Sequence, residues 1–112
     1  MDYASKKCVP CERGAPAFTP AQVEEAVRSL SGWDVQGGHT KIHKHHRFKD
    51  FKEAMRFVNA IADLAEAEGH HPDFAVSWNK VDVTLWTHAV GGLSENDFIL
   101  AAKIDQLQKR GA

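Results

Sequence analysis

The sequence predicts an α+β fold: one domain of order α-β-β-α-β-β-α, with a four-stranded antiparallel sheet and helices packed on one face. Three observations predict it. Segments with helix caps and apolar helical spacing start at Thr19, Asp50 and Ser94. Pairs of short alternating segments, each with a turn signal, lie between successive helices, which gives hairpins rather than parallel crossovers. And 112 residues suffice for one core but not for two.

Each element has its own local signal. Thr19 is the N-cap of the first helix, Pro20 takes its first position, and Gln22 completes a capping box. Val23, Ala26, Val27 and Leu30 form its apolar stripe, and Gly32 stops it. The stretch GWDVQGGHTKIHKHHRF reads as two strands around Gly37-Gly38. Ile42, Lys44, His46 and Phe48 share one face of the second strand, and Lys41, His43, His45 and Arg47 the other. Because Lys and Arg intersperse its histidines (His39, His43, His45, His46), this strand is expected to present a solvated outer face rather than a metal site.

Asp50 caps the long second helix with Glu53 three residues on. Its expected buried stripe is Phe51, Ala54, Met55, Val58, Ile61, Ala62 and Ala65, with Glu66 at the edge. Gly69 ends it and Pro72 prevents its resumption. A second hairpin follows over Ala75–Trp78 and Val81–His88, turning at Asn79-Lys80. Val81, Val83, Leu85 and Thr87 share its core face; Asp82, Thr84, Trp86 and His88 point away. The last helix starts at Ser94 with Asp97 three residues later. Phe98, Ile99, Leu100, Ala101, Ala102, Ile104 and Leu107 make its first turns apolar nearly all round, so a partner subunit is expected on its second side.

Composition narrows the function classes. Charged residues are 26% with a net charge of -1, which argues against a nucleic-acid partner. No apolar run approaches the ~20 residues that span a bilayer. The lead-in MDYASKKCVPCERGAP has no apolar core of a secretory signal, so a cytoplasmic location with reduced thiols is expected. Its CVPC pair, Cys8 and Cys11, supplies two of the four ligands of a structural zinc and neither follows a strand nor opens a helix. Residues 1–17 are expected to be a flexible, dispensable arm before a domain spanning 18–112.

The chemistry concentrates between Glu66 and Asp97. His70 and His71 sit where the long helix ends, and His88 ends the hairpin that returns to them. Glu66 and Asp97 lie nearby, and Trp78 is available as an aromatic wall. Three readings stand. The residues could be helix-stop and capping groups. They could be a three-histidine metal site, for which an adjacent His-His pair is an awkward chelate. Or the imidazoles could divide into an acid and a base near neutral pH, against an aromatic wall suited to a flat heterocycle.

The spacing Glu66-x3-His70-His71-Pro72-x5-Trp78-x9-His88-x8-Asp97, continued by NKVDVTLWTH and GLSENDF, resembles the signature of the pterin-4a-carbinolamine dehydratases over about Phe18 to Leu107. The resemblance implies an enzyme that dehydrates 4a-hydroxytetrahydropterin to quinonoid dihydropterin, without metal or bound cofactor, in tetrahydrobiopterin recycling. It maps the catalytic histidines onto His70, His71 and His88. Substrate contacts map onto Gly69 and Trp86-Thr87 beside them, with Glu66, Trp78 and Asp97 as further binding residues. It also implies a dimer or tetramer and a functional link to an aromatic amino-acid hydroxylase. The alternative it carries is an interaction module, a dimerisation cofactor for a transcription factor. Gly69 and Phe74 depart from the pattern and bear on pocket shape alone.

Overall fold

Thr19 starts α1 (Pro20–Val27) by the chemistry expected of it: its hydroxyl accepts from the Gln22 amide, and the Gln22 side chain accepts from the Thr19 amide. In this computed structural model, which describes residues 2–10 and 13–109, the chain continues as β1 (Asp34–Gln36), β2 (Lys41–Arg47), α2 (Phe51–Glu68), β3 (Asp73–Ser77), β4 (Lys80–Leu85) and α3 (Glu95–Lys109). Short 3-10 turns occupy Tyr3–Ser5 and His88–Val90. The strands form one antiparallel sheet of order β1-β2-β4-β3. The architecture is the predicted one.

Alternation decides which face of the sheet is covered. Val81, Val83 and Leu85 of β4 and Ile42 of β2 are fully buried, against Ala54, Phe57 and Ile61 of α2 and Phe98, Ile99 and Ile104 of α3. At the β1–β2 turn Gly37 is required twice over. Its φ is +59°, and a Cβ there would stand 2.7 Å from the Thr40 hydroxyl.

Three local expectations shift. On α2 the buried row is Ala54, Phe57, Ile61 and Ala65, while Phe51 and Ala62 face outward. Two apolar rows compete on this helix. The inward one carries the large Phe57, and alanines on either side of it let the helix approach closely. The second hairpin turns at Trp78-Asn79, one residue earlier than expected. Buried Asn79 donates through Nδ2 to the Phe48 carbonyl at 2.7 Å, and its own carbonyl accepts from the Phe48 amide at 2.8 Å. That clamp holds the turn and leaves Trp78 in the left-handed region at φ 52°.

The third shift concerns the histidines of β2. His43 and His45 lie on the outer face as expected, both bonded to Asp82 Oδ1 at 2.8 Å. His46 does not: it is 2% exposed, with its ring 4.6 Å from that of Phe57. Alternation puts it inward with Ile42, and aromatic neighbours accept the neutral ring. Burial, then the nearby Lys44 charge, lowers its pKa from 6.5 to about 4. The unfolded chain therefore takes up a proton at this position below about pH 6.5 while the folded chain resists until about pH 4. Stability from this group is intact above 6.5 and falls as pH drops through that window, by about 3 kcal/mol in total. His46→Leu is expected to remove that acid sensitivity in denaturant melts compared between pH 7 and pH 4. Parallel losses in both proteins would contradict it.

The N-terminal lead-in is the largest departure. Residues 2–10 pack on the body instead of standing off it. Tyr3 is buried, its ring 5.8 Å from that of Phe98, and Phe18 stacks on Phe98 at 5.5 Å. Lys103 donates to the Ala4 carbonyl at 2.9 Å. The second apolar side of α3 is thus covered from within the chain. The expectation that a partner subunit covers it is corrected accordingly. Half-buried Cys8 has its thiol pushed up to about 12 by burial and then by Glu68, far from a reactive thiolate. Cys11 lies outside the described residues.

Candidate active site

The C-terminus of α2 aims the histidine pair. Gly69 takes a left-handed conformation (φ 68°), and both its amide and that of His70 bond back to the Ala65 carbonyl, at 2.8 and 3.2 Å. This glycine-terminated stop turns the chain sharply into β3, so His70 and His71 project at the sheet's end rather than along the helix.

His70 is the most constrained of the three. Its Nε2 lies 2.7 Å from Asp97 Oδ1, with 11% of its side chain exposed. Asp97 is fully buried at the start of α3. Its other oxygen accepts from the Thr87 hydroxyl at 2.7 Å and from the Ser94 amide at 3.0 Å. Thr87 in turn meets the Ser94 hydroxyl at 2.8 Å. A carboxylate accepting two bonds from behind can accept a third from His70 Nε2–H. That orients the ring with Nε2 as the donor to Asp97 and leaves Nδ1 as the other nitrogen.

His71 and His88 are more open. His71 Nε2 pairs with Glu66 Oε2, both side chains largely exposed. His88 opens the second 3-10 turn rather than ending a strand, and its ring lies 3.7 Å from that of Trp86, inclined 35°. Trp86 is oriented by its Nε1–H, which donates to Asp73 Oδ2 at 3.1 Å, with Lys41 Nζ 5.0 Å from its ring centre. An isolated bridge between Thr87 and Gly92 holds the turn, with the Thr87 amide donating to the Gly92 carbonyl at 2.7 Å.

These elements enclose an open pocket of about 360 Å³, within the range of small-molecule sites. Of the residues singled out in the sequence, Gly69, His70, His71, Trp86, Thr87 and His88 line it. Glu66 stands outside, bonded to His71, and Asp97 lies behind His70, where it cannot reach a ligand directly. Trp78 is not brought in. It sits at the far end of β3, about 15 Å along the strand from Asp73, 63% exposed. Among the described residues no group of three or more His, Cys, Asp or Glu side chains is arranged to hold a metal ion. Sequence reasoning missed Val9, Pro10, Asp73 and Asn96, which also line the pocket. Nothing in their local pattern marks them, since Val9 and Asn96 meet across 87 positions of chain.

A small α+β domain with a buried carboxylate orienting one imidazole, and a second imidazole on an indole across the same pocket, defines a class equipped for proton transfer on a planar ligand. The chain belongs to the pterin 4 alpha carbinolamine dehydratase family, which it matches over residues 16–107. It is 46% identical over 111 residues to a protein of Arabidopsis thaliana described as pterin-4-alpha-carbinolamine dehydratase 2, mitochondrial; the match covers 96% of this chain and 59% of that protein. A putative pterin-4-alpha-carbinolamine dehydratase of Rubrobacter xylanophilus is 42% identical, with 95% and 98% covered. Among solved structures, a transcriptional coactivator/pterin dehydratase from Brucella Melitensis superposes with a TM-score of 0.77 at 37% identity, covering 81% of this chain and 97% of that one. A pterin dehydratase-like protein identified as a RuBisCO assembly factor in the alpha-carboxysome gives 0.59 at 27%, covering 68% and 88%.

Proposed function

We propose that the chain is a hydro-lyase that converts 4a-hydroxytetrahydropterin to quinonoid dihydropterin and water. The observation that carries this is the Thr87–Asp97–His70 chain facing the same pocket as the Trp86–His88 pair. The reaction needs one proton taken from N5, whose electron pair then forms the N5=C4a bond. It needs one proton given to the 4a hydroxyl as the C4a–O bond breaks. His70, backed by Asp97, suits the base; solvent-accessible His88 suits the acid, because water can reprotonate it. His71 lines the pocket and serves binding, and Glu66, outside it, holds His71. In this reading no metal takes part, and the pterin returns to an aromatic amino-acid hydroxylase cycle in the cytoplasm. The test is to add the protein to chemically generated 4a-hydroxytetrahydropterin and follow its ultraviolet absorbance. Decay faster than in buffer, unchanged by chelator, is expected. Activity lost to chelator and restored by zinc would replace the reading with a metal one.

The same proposal includes a homo-oligomer, now on a different surface. β3 is an edge strand carrying Phe74 and Val76, Trp78 follows it in the turn, and all three are exposed, as is Phe51 on α2. A flat apolar edge on a lone subunit invites pairing. Light scattering is expected to report a dimer or larger, and Val76→Lys to shift it toward monomer. A wild-type monomer at micromolar concentration would contradict this. The same edge supports a second reading, an interaction module for another protein. That reading gains if the wild type is a monomer without dehydratase activity.

A further inference from the structure

The family model matches this chain over residues 16–107, and every site residue singled out in the sequence lies at Glu66 or beyond. The pocket extends further. Val9 and Pro10 of the lead-in line it beside His70, His71 and His88.

Their position is fixed from two directions. Buried Asn96 binds the Val9 backbone reciprocally: the Val9 amide donates to Oδ1 at 3.0 Å, and Nδ2 donates to the Val9 carbonyl. A side-chain amide here replaces a neighbouring strand. The Cys8 amide donates to Glu68 Oε1 at 2.8 Å. Burial alone would push the Glu68 carboxyl up, but the Cys8 amide and Lys103 outweigh it and hold it below its usual range. Glu68 ends α2, two residues before His70, and Asn96 precedes Asp97. The segment is therefore pinned to both elements that place His70. Further along, the Gly14 amide donates to the Ala89 carbonyl at 3.0 Å, next to His88.

Val9 remains 63% exposed although its backbone is held on both sides. A lone exposed valine needs no explanation. Here, however, the bonds that immobilise it also set Val9 and Pro10 at the pocket, where they add apolar lining beside imidazoles, Asp73 and Asn96. We propose that Val9 and Pro10 form a substrate-contacting wall of the pterin site and that Asn96 is its positioning residue. The inference rests on the dehydratase reading of the pocket. An apolar contact without charge or transferable proton interacts alike with substrate and transition state. Its loss should therefore appear in KM and not in kcat.

The experiment is steady-state kinetics of the full chain with 4a-hydroxytetrahydropterin, comparing wild type with Val9→Ser and Asn96→Ala. Each variant is expected to raise KM roughly 5- to 10-fold with kcat within about twofold, while Val9→Ile keeps KM near wild type. Val9→Ser guards against poor folding of Asn96→Ala, because its side chain is exposed. Hydrogen exchange adds a second readout: 7,8-dihydropterin should slow exchange at the Cys8 and Val9 amides in the wild type and less so in Asn96→Ala. An active wild type whose Val9→Ser variant keeps an unchanged KM, or loses kcat instead, overturns the wall while leaving the dehydratase reading intact. A wild type without activity overturns both.

Discussion

Replacing His70 or His88 by alanine is expected to lower kcat by roughly 10²–10⁴-fold each, the usual contribution of one positioned proton transfer. The fold should survive, because neither ring belongs to the hydrophobic core. His71→Ala should act mainly on KM, given that its ring is open to solvent and bonded to exposed Glu66. His45→Ala, on the outer sheet face with Asp82, should change neither. Asp97→Asn offers a sharper test of how His70 is set. An asparagine keeps the shape but loses the charge behind Nε2, and can present its amide N–H where the carboxylate accepted. A fall in kcat with an altered pH–rate profile is expected from the lost tautomer control. If His45→Ala damages turnover as much as His88→Ala, the assignment of roles is wrong.

The second large effect is on stability. Deleting the residues before Phe18 is expected to lower the melting temperature by at least about 10 °C. Tyr3 alone fills a buried site against Phe98, and truncating a buried aromatic costs about 3 kcal/mol or more. The deletion also exposes the side of α3 that the lead-in covers. The single substitution Tyr3→Ala should account for much of the loss in differential scanning calorimetry. An unchanged melting temperature in the truncated protein would mean that the lead-in contributes no packing energy.

What could be read from the sequence follows the reach of its signals. The Thr19–Gln22 box, the glycine stop at Gly69 and the alternation of β4 act within a few residues, and each appears as expected. Convergence of His70 and His88 was legible too, since a hairpin must return its end to its start. Phe57 was left out of the expected buried row because two apolar rows on α2 satisfy the same helical period, and only the sheet decides between them. His46 read as a surface residue from the company of Lys44 and Arg47, although alternation already put it inward with Ile42. The roles of Tyr3, Val9 and Asn96 were out of reach. They depend on contacts between the two ends of the chain, in a lead-in with no periodicity of its own. Trp78 illustrates the converse: a spacing in the sequence that does not become proximity within one subunit.

Two imidazoles in one pocket are expected to carry the two proton transfers. The most direct measurement compares, at pH 7, the decay of 4a-hydroxytetrahydropterin in buffer, with wild type, and with the folded His70→Ala, His88→Ala double variant. Strong acceleration by the wild type and a double-variant rate close to that of buffer are expected. A double variant as fast as wild type, or a wild type no faster than buffer, would contradict it.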